Sequence, residues 1–114
     1  MTAEPLLEEQ RIKQRADSFH LCLDITEDFS KICGINTEDV TGKSRRSSAV
    51  CVRHLAMHVL SRLGVNKKYI CQFFNRNRTT IYHSLEHAQN MLDTEKLVND
   101  HTQEIINKYD QRRI

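Results

Sequence analysis

One proline and three glycines in 114 residues leave this chain little material for tight turns, and that scarcity constrains its fold more than any other feature. Leu, Ile, Lys, Arg, Glu and Gln are abundant instead, residues that lose little freedom in a helix. Helices joined by short polar loops are therefore expected, in an all-α chain. The length, with 39% hydrophobic residues, suits one compact core and is short for two ordinary domains.

Apolar periodicity places the helices. From Glu4 to Cys33 no breaker follows Pro5, which suits a first helical turn, and Ile12, Ala16, Phe19 and Leu23 recur at helical spacing. Ile25, Phe29 and Ile32 continue the stripe with a phase shift, so one long helix or two abutting ones fit. Gly34 supplies a stop, and Asn36 or Thr37 can cap a short turn through Val40. A polar loop from Thr41 to Ser47 precedes a helix that Ser47 or Ser48 can cap. That helix lines one face with Val52, Leu55, Ala56, Val59, Leu60 and Leu63 and ends at Gly64. Asn66 caps a short helix, Lys67 to Phe74, burying Ile70, Phe73 and Phe74. After a turn at Asn75 and Arg76, a longer helix from about Asn77 buries Ile81, Leu85, Ala88 and Leu92. Asp93 or Thr94 interrupts it, and a last amphipathic helix carries Leu97, Val98, Ile105, Ile106 and Tyr109. This divides the chain into an N-terminal helical extension (1–24), a central helix-turn-helix unit (25–93) and a C-terminal helix (94–114).

Charge is segregated along the chain. Residues 1–40 hold four Lys or Arg against nine Asp or Glu, residues 41–87 hold nine against one, and residues 88–114 hold four against five. A basic block of that purity within a folded domain is the footprint of a polyanionic partner. Other classes of function find no support. No apolar run approaches the roughly 18 to 20 residues of a membrane span, and Met1-Thr2-Ala3-Glu4 lacks a signal peptide's basic and apolar regions. A cytoplasmic, nucleoid-associated protein of a bacterium or phage is expected. Cys22, Cys33, Cys51 and Cys71 form no Cys-x-x-Cys pair, which predicts reduced, small core residues rather than a zinc or redox site.

A short helix, a tight turn and a longer helix with an apolar inner face form the arrangement whose second helix can enter a major groove. On a helical wheel Thr79, Thr80 and His83 point away from Ile81 and Leu85, with Arg76 at the entrance and Arg78 on the flank. Arg suits guanine O6 and N7, Thr suits a hydrogen bond or a thymine methyl, and His can donate or accept. Lys43, Arg45 and Arg46, on the preceding loop, suit phosphates or a narrow minor groove.

Four ordered segments then carry a resemblance: Gly42-Lys43-Ser44-Arg45-Arg46, Arg53-His54-Leu55-Ala56-Met57, Ile70 with Phe74, and Arg76-Asn77-Arg78-Thr79-Thr80-Ile81-Tyr82-His83. Together, from Asp39 to Leu92 and more weakly back to Ile25, they resemble the C-terminal DNA-binding domain of the bacterial replication initiator DnaA. The resemblance implies a Trp-repressor-like helical fold that binds duplex DNA as a single unit on a short asymmetric site. By position Arg45 falls on the loop arginine that enters the minor groove and Arg53 on a helix arginine near the backbone. Arg78, Thr79 and Thr80 fall on the base-reading triplet, and His83 on a histidine one turn further on. The family's glycine pair is reduced to Asn75, its acidic residue is Asn77 and its following histidine is Arg78. Its base preference therefore does not carry over.

The expected DNA-contacting set is Lys43, Arg45, Arg46, Arg53, Lys67, Lys68, Arg76, Asn77, Arg78, Thr79, Thr80 and His83. No cofactor is expected, and no Gly-x-x-x-x-Gly-Lys-Ser/Thr loop offers a nucleotide site. His54 with His58, and His83 with His87, have metal-sharing spacing, but without a further ligand they read as ordinary surface histidines. No nucleophile, base and carboxylate set stands out, so no enzyme is expected. The alternative is an adapter that uses its amphipathic terminal helices for a protein partner or for self-association, the basic surface being incidental.

Overall fold

The computed structural model describes residues 3–112, with side chains from 8 to 111. Among the described residues the chain forms six helices and no strand: α1 (Ala3–Cys33), α2 (Thr37–Thr41), α3 (Ser47–Arg62), α4 (Lys67–Phe74), α5 (Arg78–Thr94) and α6 (Lys96–Arg112). The all-α expectation holds; α4 has its expected limits, and α5 begins one residue after Asn77 and ends two residues after Leu92.

Central to the bundle is α3, because apolar residues cover more than half its circumference. Val52, Ala56, Met57, Val59 and Leu60 are all buried, and α1 and α5 pack along it from different sides. Its C-terminus is closed by Gly64 at φ 84, with Gly64 N–H donating to Ser61 and Val65 N–H to Leu60. That left-handed position favours a residue without Cβ. At its other end neither Ser47 nor Ser48 caps the helix. Arg46 occupies the cap position without a side-chain bond, and Ser44 Oγ accepts the Arg46 N–H instead.

The long first helix runs unbroken through residues 24 and 25, and its buried face is Cys22, Ile25, Thr26, Phe29 and Ser30. Ile25 and Phe29 lie on it as expected, whereas the line through Ile12, Ala16 and Leu23 lies about a quarter turn away. Ile12 is 64% exposed and Leu23 40% exposed, and every residue from Glu8 to Asp17 is exposed. The first half of α1 thus projects from the bundle, whose longest dimension is 53 Å. Of the apolar line that periodicity located there, Ile12 and Ala16 are exposed, while Phe19 is half-buried against Tyr69 and Phe73 of α4. The same correction applies to Leu97, 69% exposed at the start of α6, whereas Ile105 and Tyr109 enter the core.

Asp28 ties α6 back to α1, accepting from Tyr109 Oη at 2.6 Å and Lys108 Nζ at 3.0 Å. Among the cysteines only Cys22 is fully buried, and burial raises its thiol pKa to about 12. Cys51 and Cys71 are half-buried, and Cys33 is exposed rather than in the core.

Candidate nucleic-acid interface

Two asparagines organise the helix-turn-helix from the backbone outward. Asn66 caps α4 by accepting from Lys68 N–H at 3.0 Å, and Asn77 caps α5 by accepting from Thr80 N–H at 2.8 Å. Between them Asn75 takes the left-handed conformation, φ 53, which Asn tolerates better than most residues with a Cβ. A glycine pair is therefore unnecessary: Asn75 alone reverses the chain and starts α5 three residues later.

The loop before α3 is held against this turn by two guanidinium groups. Arg53 is only 7% exposed. Its Nε donates to Val40 O at 2.7 Å, and its Nη2 lies within hydrogen-bond distance of the carbonyls of Asp39, Gly42 and Ser44. Arg76 Nη2 donates to the same Gly42 carbonyl at 2.6 Å, and its Nη1 donates to Phe74 O at 2.6 Å. Gly42 itself allows no side chain, since a Cβ there would stand 2.8 Å from the Glu38 carbonyl oxygen. Burial, with Arg76 close by, draws the Arg53 pKa down from its ordinary value, yet a guanidinium stays charged.

Arg53, expected near the DNA backbone, is buried and acts as an internal strut whose carbonyl partners lie within the protein. Arg76, expected at the entrance of the recognition helix, is half-buried and clasps the loop to the turn. What these struts present is a cluster of exposed groups: Lys43, Arg45 and Arg46 on the loop, Lys68 on α4, and Arg78, Thr79 and His83 on α5. Thr80 is half-buried, and the Asn77 carbonyl oxygen is committed to its cap. Lys67 holds its ammonium over the Tyr82 ring, 5.7 Å from the centroid. Tyr82, 54% exposed on α5, was not among the expected contacts. Its position four residues after Arg78, on the same side of the helix, was the available signal.

Among the described residues no carboxylate forms an ion pair with the cluster. The ion pairs among the described residues are His101 with Glu104 and Lys108 with Asp28, both outside residues 41–87. The histidines are arranged otherwise than their spacing suggested. His54 of α3 stacks on His87 of α5 with ring centroids 5.3 Å apart. Burial, then His87, then Arg53 lower the His54 pKa to about 4, so it is no ordinary surface histidine. Burial and Arg62 lower that of His58. Among the described residues no three His, Cys, Asp or Glu converge as a metal site, and no helix is long and apolar enough to cross a membrane.

Residues 23–87 match the family model described as the bacterial dnaA protein helix-turn-helix. No solved structure matches the chain.

Proposed function

The chain belongs to the bacterial DnaA helix-turn-helix family, and we propose that it binds double-stranded DNA sequence-specifically, with α5 in the major groove and loop 43–46 on the adjoining backbone and minor groove. The observation that carries this reading is the shared Gly42 carbonyl. Through it Arg53 and Arg76 lock the basic loop beside the α4–α5 turn. Two separate stretches of unpaired positive charge thereby act as one surface, arranged before any ligand arrives, which reduces the ordering cost of binding.

The contacts divide into positioning and reading. Lys43, Arg46, Lys67 and Lys68 suit phosphates, Arg45 suits a narrow minor groove, and Arg78, Thr79, Thr80 and His83 suit base edges. Such binding serves the control of replication or transcription, in association with the nucleoid, by occupancy of sites rather than by catalysis or nucleotide turnover. A protein-interaction role for the terminal helices is the second reading, favoured by the apolar line of Ile12 and Leu23 that the fold leaves uncovered.

Fluorescence anisotropy titrations at several salt concentrations test the first reading. Affinity for duplex DNA should fall steeply with salt, by roughly 0.9 logarithmic unit per phosphate contact for each decade of salt. Arg78→Ala should lose about 1–3 kcal/mol on the preferred site and little on random duplex, while Lys43→Ala or Lys68→Ala should weaken both alike. Arg45→Ala should hurt most beside A·T-rich sequence. Unchanged binding by a charge-reversed Arg45 and Arg78 variant would favour the adapter.

A further inference from the structure

The one acidic residue among residues 41–87 is Glu86, and it stands on the helix proposed to lie in the groove. Thr79, His83, Glu86 and Asn90 are spaced four, three and four residues apart and are all exposed, forming one outward strip of α5. Ile81, Ser84, Ala88 and Leu92 form the buried strip on the other side. Among the described residues no cation comes within ion-pair distance of the Glu86 carboxylate. Lys67, which reaches α5 one turn earlier, holds its ammonium over the Tyr82 ring.

A bare carboxylate on a DNA-facing strip is repelled by phosphates, so its presence weakens binding to duplex in general. It becomes favourable where it accepts a hydrogen bond from a base edge. Two such donors line the major groove, the exocyclic amines of cytosine and adenine. Adenine places its N7 acceptor beside the amine, which repels a second acceptor and suits the donor-and-acceptor amide of Asn or Gln. Cytosine N4 has no acceptor beside it on its own edge. Seven residues separate Thr79 from Glu86, a rise of about 10 Å, or about three base-pair steps along the groove.

Resting on the assignment of α5 to the groove, we infer that Glu86 is a specificity-determining residue that accepts a hydrogen bond from cytosine N4, about three base pairs from the position that Thr79 meets. The carboxylate then acts twice: it selects one base, and it lowers the affinity for every duplex that lacks that base in register.

Selection from random duplexes with wild type, Glu86→Ala and Glu86→Gln, followed by titration of the selected and random duplexes, tests this. Glu86 is exposed, and unchanged helical circular dichroism would verify that each variant folds. Wild type should show one cytosine position worth about tenfold in affinity. Glu86→Ala should flatten that position alone while binding random duplex several-fold more tightly. Glu86→Gln should move the preference there from cytosine to adenine. If wild type selects a site and Glu86→Ala selects the same one at every position, with or without tighter overall binding, Glu86 faces solvent and the inference is overturned while sequence-specific binding stands. If wild type selects no sequence at all, both fall.

Discussion

The loop at residues 42–46 and the first half of α1 both lie at the periphery and both expose charge, yet only one is built into the bundle. Beneath the loop, Arg53 and Arg76 converge on the carbonyl of Gly42, so Lys43, Arg45 and Arg46 project from a backbone that is hydrogen-bonded from below. Along α1 from Glu8 to Asp17, by contrast, every residue is exposed, and the helix there rests on local propensity and its continuity with the packed half. Exposure therefore has two meanings in this protein. In the loop it is charge held out by a buried scaffold, and in α1 it is a regular helix without a tertiary partner.

Removing the scaffold should have the largest effect. Arg53→Ala would remove the donor that Arg53 offers to the carbonyls of Asp39, Val40 and Ser44 and leave Gly42 to Arg76 alone, and it should cost about 2–4 kcal/mol in urea unfolding. Arg53→Lys should recover only a small part, because a single ammonium cannot reproduce the planar fork. DNA affinity should fall at protein concentrations and temperatures where the variant is still folded, since the loop charges would no longer be positioned. A loss below about 0.5 kcal/mol, the range of ordinary surface substitutions, would erase the contrast between the two regions.

A smaller effect is expected where α3 meets α5. His54 titrates at about 4 in the fold, below its ordinary value near 6.5, so the folded protein binds fewer protons than the unfolded chain between those limits. Stability should be complete above about pH 6.5 and should decline as pH falls toward 4. Partial solvent access discounts the decline to about 1–2 kcal/mol. His58, lowered by burial and Arg62, adds in the same direction. His54→Phe keeps a ring against His87 and removes one titrating group, so its urea midpoint should vary less over this window. An equal slope in both proteins would assign the acid sensitivity elsewhere.

How much of this was legible depends on whether the determining contacts are local. The limits of α4 and α5 were readable because Asn66, Asn77 and the apolar spacing of Ile81, Ala88 and Leu92 act within a few residues of themselves. Exposed Arg78, Thr79 and His83 followed from the same wheel. The strut role of Arg76 was not readable, since its Gly42 partner lies 34 residues away. Arg53 did leave a trace. It falls on the line Ala49, Arg53, Ala56 and Leu60, all buried, and an arginine in register with an apolar stripe is a candidate for burial with carbonyl partners. Ser47 and Ser48 were misread as caps because the cap position was taken one residue earlier, by Arg46. His54 and His87 were misread because their stacking joins two helices rather than two turns of one.

The smallest expected effect sharpens the comparison from the side of α1. Ile12 sits at the spacing that, elsewhere in this chain, marks core residues, yet it is 64% exposed. A buried isoleucine cut back to alanine costs about 2–5 kcal/mol, whereas Ile12→Ala should change stability by less than about 0.5 kcal/mol. Because alanine is the better helix former, the sign should lean toward stabilisation. Urea unfolding at two well-separated protein concentrations is the measurement. A loss above about 1 kcal/mol that grows with protein concentration would mean that the projecting half of α1 is covered by another copy in solution. The same loss independent of concentration would mean that it folds back onto its own bundle. Either result would remove the ground for treating this half of the helix as unanchored, and the loop at residues 42–46 would no longer be distinguished by its scaffold.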